Sequence, residues 1–327
     1  MPSGFDGAYA YARVCGSLAR SFLGEKATAL AMSARVGEAW RALFGESPPA
    51  LSETELATAA EHRLRTRAMD ALGNIAGSLL RDEPFFAALL RKWEFTYLKA
   101  VLAAMVERSP AAPSLTYGCS APGFDARAYP DLGMMLKKTR YHWLIAFGLD
   151  DLPAVKNRLD RQYYSELWDS LSTIPSGLAG TIPHLLRLEA ELQNMVWSLR
   201  LKRYPSMGAA DIEPLLIAFD GVDVRTPALR AVGLRFDSRQ DWQGWKWERL
   251  VPDSRREDGG AWFFDVRGFE LAAHEHLRCL LHRRLHLEGE TYVPLYAYFR
   301  IKEFETTAIQ GIIEGIMMAA RTTGVGA

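Results

Sequence analysis

The densest group of chemically able side chains lies near the C-terminus, in His274-Glu-His276-Leu-Arg278-Cys279-Leu-Leu-His282-Arg-Arg-Leu-His286. His282 and His286 stand four apart. On a helix that spacing turns two imidazoles to one side, where they can share a metal ion. His274, Arg278, His282 and His286 form a single stripe at the same spacing. A guanidinium inside the stripe repels a cation. The expectation is therefore a basic helix face that meets an acidic partner or an acidic neighbouring domain, with no bound metal and no cofactor.

Three other groups bear on chemistry. Asp150-Asp151 with Asp160 is the kind of acidic set that helical isoprenoid enzymes use, but Pro153-Ala154-Val155 follows where a further Asp is needed. Capping of a helix that starts near Pro153 accounts for the pair better. Cys119, in Tyr-Gly-Cys-Ser, sits in a breaker-rich stretch and reads as a loop thiol rather than a nucleophile. Trp242, Trp245 and Trp247 either anchor a partner, as tryptophans at interfaces do, or pack down from an irregular segment onto the helices that follow. No GxxxxGK[ST], GxSxG or HExxH occurs, so the sequence offers no phosphate-cradling loop, nucleophile elbow or zinc-protease helix.

The elements that must position these residues read as helices. The chain has 327 residues with 39 Lys plus Arg against 39 Asp plus Glu, and this balance speaks against a nucleic-acid binder or an acidic tail. Ala, Leu, Arg and Glu dominate, and apolar residues recur at spacings of three and four. Ser52-Glu53-Thr54-Glu55 predicts a capped start, and Pro84 predicts a stop followed by a new helix. Three stretches break the pattern: Ser109 to Pro130, Pro205 to Thr226, and Phe236 to Gly268. They divide the chain into expected domains over 1–108, 109–204 and 205–327. Three single cysteines suit a reducing compartment. The N-terminus lacks the pattern of a signal peptide, and no apolar run approaches the ~18–20 residues of a membrane span.

A repeat runs through the three domains. Lys92-Trp-Glu94, Glu189-Ala-Glu191 and Glu303-Phe-Glu305 each open a similar pattern. Four residues after the registered acids stand Leu98, Met195 and Ile309; eight after stand Leu102, Leu199 and Ile313. Those six are expected on one buried face. The acid is expected in the first turn, where it suits the helix dipole. An amphipathic helix precedes each pattern, around Glu61, Asp160 and Phe269. Gly311 and Gly315 are expected to allow tight packing of the last helix, and Tyr296, Tyr298 and Phe299 to be core.

At these residues the sequence resembles the C subunit of archaeal and bacterial A/V-type rotary ATPases, the counterpart of the d subunit in eukaryotic V-ATPases. The stretch Pro294-Leu-Tyr-Ala-Tyr-Phe-Arg-Ile-Lys302-Glu-Phe-Glu305-Thr-Thr-Ala-Ile309-Gln-Gly-Ile-Ile313 carries most of the likeness. Tyr9-Ala-Tyr-Ala-Arg13, Leu159-Asp-Arg-Gln-Tyr-Tyr164 and Glu189-Ala-Glu-Leu-Gln-Asn194 support it. Tyr97 stands where the family commonly has Asn, Gly315-Ile316 where it often has Gly-Lys, and the segments 109–130 and 241–262 do not align with the family pattern. The resemblance implies an all-α funnel of three similar helical domains about a pseudo-threefold axis. It implies a non-catalytic subunit on the cytoplasmic face, peripheral to the membrane, that links the central stalk to the membrane rotor ring. A helical enzyme with an acidic or His-lined pocket, isoprenoid-synthase-like, is the competing reading, and a general helical scaffold the third.

Overall fold

The computed structural model describes residues 5–79, 83–113, 123–147, 149, 151–203, 207–255 and 260–322. Among the described residues the chain is all-α, as expected: it forms α-helices and short 3₁₀ turns, with no strand. In chain order the first helices are α1 (Gly7–Leu18), α2 (Glu25–Ala31), α3 (Val36–Phe44), α4 (Glu53–Leu79) and α5 (Pro84–Val106). Then come α6 (Leu132–Leu136), α7 (Trp143–Phe147), α8 (Leu152–Ser170), α9 (Ile182–Leu201), α10 (Ala209–Ile212) and α11 (Thr226–Gly233). The last two are α12 (Val266–Leu287) and α13 (Val293–Thr322). No helix of the described residues is long and apolar enough to cross a membrane.

Local chemistry sets the helix starts. Ser52 and Glu55 exchange bonds at the head of α4: the Ser52 N–H donates to Glu55 Oε2 (3.0 Å) and the Glu55 N–H to Ser52 Oγ (3.3 Å). Pro84 occupies the first position of α5, where its missing N–H costs nothing. Asp151 caps α8 by accepting from the Ala154 N–H at 3.0 Å.

The chain divides into two compact units, and α12 contributes to both: through Leu281 to one, from His282 onward to the other. One unit holds α1–α4 and α13. Here α13 packs on each of the first four helices. Ile309, Ile313 and Ile316 of α13 share a core with Leu30, Val36, Trp40, Leu43, Leu56 and Leu64. Gly311 and Gly315 do not serve that packing. Among the described residues nothing lies within 4 Å of a Cβ on either, so no described helix makes the expected close approach there.

The other unit holds α5–α11 and most of α12. Its main contacts pair α5 with α8 and α9 with α11. Phe95 of α5 meets Tyr163 of α8 edge-on, with ring centroids 5.6 Å apart. Burial of such aromatic and aliphatic side chains supplies most of the stability of each unit.

Candidate functional site

The three registered glutamates are where the structure departs most from a plain amphipathic helix. The apolar positions four and eight residues after each acid are buried as expected: Leu98, Leu102, Met195, Leu199, Ile309 and Ile313 are at most 1% exposed. The acids do not lie in first turns. Glu94, Glu191 and Glu305 stand well inside α5, α9 and α13, so the helix dipole is not what holds them. All three are buried, at 8%, 2% and 6% exposure. The signal for this is in the register itself: an acid four residues before a buried position shares its face.

A buried carboxylate must collect donors. Each of these does so from an irregular segment that folds back onto its helix. Glu94 Oε1 accepts from the Gly123 N–H at 3.0 Å. Glycine permits that approach: a Cβ on Gly123 would stand 2.5 Å from the same oxygen and would push the carboxylate aside. Glu191 accepts from the Trp247 indole at 2.7 Å and pairs with Lys246 Nζ at 2.6 Å. Glu305 accepts from the Phe22 N–H at 2.6 Å and pairs with Lys302 Nζ at 2.6 Å. One residue type at one register thus clamps three different segments.

The position three residues after the acid repeats part of this role. Asn194 is fully buried; its Nδ2 donates to the carbonyls of Ile217 and Val224, each at 2.9 Å. Its Oδ1 accepts from the Ile217 N–H at 2.7 Å. Tyr97 stands at the same register in α5, and its hydroxyl donates to the Pro113 carbonyl at 3.2 Å. In α13 the position is Ala308, which is exposed.

The tryptophans pack inward: Trp242, Trp245 and Trp247 are 0%, 3% and 4% exposed. Trp242 stacks on Phe264 with centroids 4.0 Å apart and donates its indole N–H to the Arg235 carbonyl at 2.8 Å. Trp245 packs against Phe269 of α12 and donates to the Pro227 carbonyl. The irregular segment 236–255 thus brings its own aromatic core to the helices it covers.

The histidine stripe is less basic than its sequence suggests. Arg278 is held by Glu275 through two bonds, 2.7 and 2.6 Å, and the pair favours its charged form while cancelling its charge. Burial pushes the His274 pKa down, against the pull of Glu270 and Glu189. His282 and His286 are exposed, their rings 4.7 Å apart, and His286 Nδ1 shares a hydrogen bond with the Tyr11 hydroxyl at 2.8 Å. The unit division falls inside the stripe, between Leu281 and His282. Among the described residues no group of three or more His, Cys, Asp or Glu is placed to hold a metal.

Two members of the acidic set have separate structural partners. Asp151 caps α8 and Asp160 pairs with Lys99 of α5, about two and a half turns further along the same helix. Asp150 and Cys119 lie outside the described residues.

The clamped helices fall within a stretch that known proteins share. Residues 29–322 match the family described as ATP synthase (C/AC39) subunit. An uncharacterized protein of Treponema pallidum (strain Nichols) is 25% identical over 336 aligned residues, covering 96% of this chain and 94% of the relative. The C subunit of an A-type ATP synthase of Methanosarcina mazei is 25% identical over 155 residues, which is 44% of this chain and 43% of that protein.

Proposed function

Since this chain belongs to the ATP synthase (C/AC39) subunit family, we propose that it is the coupling subunit of an A/V-type rotary ATPase. In this reading it links the central stalk to the membrane rotor ring on the cytoplasmic face, peripheral to the membrane, and passes torque between ATP chemistry and ion transport. The observation that carries the reading is the extent of the family match, which takes in all of α5, α9 and α13, the helices that bear the buried glutamates. We further propose that those three helices mark three similar domains, over 1–108, 109–204 and 205–327, in a funnel-like pseudo-threefold arrangement. A part that transmits torque needs irregular segments tied firmly to long helices, and a buried acid with its donors is such a tie.

The test is recovery of partners. Tagged full-length protein, pulled down from detergent-solubilised membranes of its own source, is expected to bring the ring protein and the central-stalk subunits with it. Their absence, from membranes shown to contain the assembled ATPase, would overturn the coupling role.

A further inference from the structure

The unit formed by α1–α4 and α13 holds a cavity of about 220 Å³ beside Glu305. We propose that this cavity binds a phosphate-type oxyanion, either free phosphate or a small phosphomonoester, independently of the coupling role.

The charge at the cavity is uneven. Arg20, Arg67 and Lys302 line it, against a single carboxylate, Glu305. Lys302 and Glu305 neutralise each other through a 2.6 Å pair, and the carboxylate is further occupied by the Phe22 N–H. Two guanidiniums are left over. Arg67 spends one N–H on the Leu43 carbonyl at 3.0 Å, which fixes the plane of its fork and leaves other donors for a ligand. Both arginines are exposed, whereas Tyr298 and Glu305 are buried, so the cations stand at the mouth and the tyrosine at the floor.

The second observation is the Tyr298 hydroxyl. The residue is 1% exposed; Ser17, also on the cavity wall, is a hydrogen-bonding neighbour of its oxygen, but no group among the described residues accepts the Tyr298 O–H itself. A buried hydroxyl in that state calls for an acceptor. Water would satisfy it but would make no use of the donors that the two exposed guanidiniums present at the mouth. An oxyanion does both: its oxygens accept from the arginine forks and from the tyrosine. The volume falls below the roughly 300–1,000 Å³ of pockets for drug-sized ligands, which suits one phosphate group and excludes a dinucleotide. The sister acid Glu191 offers no such room, since the Trp247 indole lies on it.

The experiment is calorimetric titration of the full chain with inorganic phosphate at fixed ionic strength, so that screening is constant. Saturable binding of one phosphate is expected, weakened about tenfold or more by Arg20→Gln and by Arg67→Gln, and less by Tyr298→Phe. Arg158→Gln and Arg161→Gln, guanidiniums of the other unit, are expected to leave it unchanged. Thermal melts confirm that each variant folds; if Arg67→Gln does not, the exposed Arg20 carries the test. The proposal is overturned by no saturable heat up to about 20 mM phosphate, well above the millimolar affinity scale. Binding that survives both arginine changes, or that follows Arg158 or Arg161 instead, overturns it equally. A phosphomonoester titrated in parallel distinguishes the two sources, the tighter binder being the ligand the cavity fits.

Discussion

Glu191 and Glu305 occupy the same register on two helices, and their surroundings differ in one respect that matters. Glu191 is shut under Trp247, with Lys246 closing the remaining side and Asn194 pinning a second loop nearby. Glu305 borders a cavity, takes a backbone N–H and a lysine, and has the exposed Ala308 where Asn194 would be. A buried acid therefore does not by itself dictate a closed structure. It dictates that some segment must come back and donate, and the identity of that segment decides whether the place is sealed or open. In α9 the donor is a bulky indole that also fills space. In α13 the donor is a main-chain N–H, which fills none.

The largest effect follows from removing the indole. Trp247→Ala takes away a side chain that is 4% exposed and strips the buried Glu191 of its indole donor. The combined loss is expected at about 3–5 kcal/mol, read as a shift of the urea midpoint. Glu305→Gln is expected to cost only about 1 kcal/mol, because the amide oxygen still accepts from Phe22 and the cavity admits water to the rest. Similar losses for the two variants would erase the distinction between a sealed and an open acid.

Next in size is the position three residues on. Asn194→Ala removes three bonds to the 217–224 loop and strands two carbonyls and an N–H in the interior. The expected cost is about 3 kcal/mol, with amide exchange rising first at Ile217. Tyr97→Phe removes one half-buried bond to Pro113 and is expected to cost about 1 kcal/mol. If the tyrosine change proves the costlier, the clamp in α5 is more than a weaker version of the clamp in α9.

Particular residues show what the sequence reveals of this fold and what it hides. The helices around Leu98, Met195 and Ile309 are legible because a 3.6-residue period leaves a plain trace, and the starts at Ser52, Pro84 and Asp151 because caps are local chemistry. The glutamates are legible as a repeat, but the first turn expected for them is not where they lie. Their partners, Gly123, Trp247 and Phe22, are 29, 56 and 283 residues away in the chain, and only folding brings them to the helix. The tryptophans are ambiguous for the same reason: burial of a Trp in an irregular segment depends on which helix it falls against. The cavity at Tyr298 leaves no trace in the sequence at all, because its arginines come from separate elements. Lys302 is visible only as part of a motif.

The smallest effect is the one that probes the seal without a large mutation. His276 of α12 meets the Trp247 ring edge-on, with centroids 5.6 Å apart, and its Nε2 lies 3.1 Å from Arg249 Nη2. Burial first, and the Arg249 charge second, hold its pKa below the ordinary 6.5. His274, two residues earlier on the helix, is lowered chiefly by burial, with Arg200 adding and Glu270 and Glu189 opposing. The sign follows from proton counting: below about pH 6.5 the unfolded chain binds protons that the folded chain refuses, so stability falls as the pH falls. Depressed carboxylates such as Glu275 and Asp223 also lose stability in acid, but only below about pH 4.5, where the unfolded groups themselves begin to protonate. Melting temperature is therefore expected to drop between about pH 6.5 and 5, and to drop less in His276→Gln, whose amide can still face Arg249 without titrating. Tryptophan fluorescence followed over the same range reports the seal directly. A parent chain with no loss of stability in that window would mean that protonating His276 does not disturb the ring that covers Glu191, and that the closed site is held by Lys246 and the aromatic packing alone.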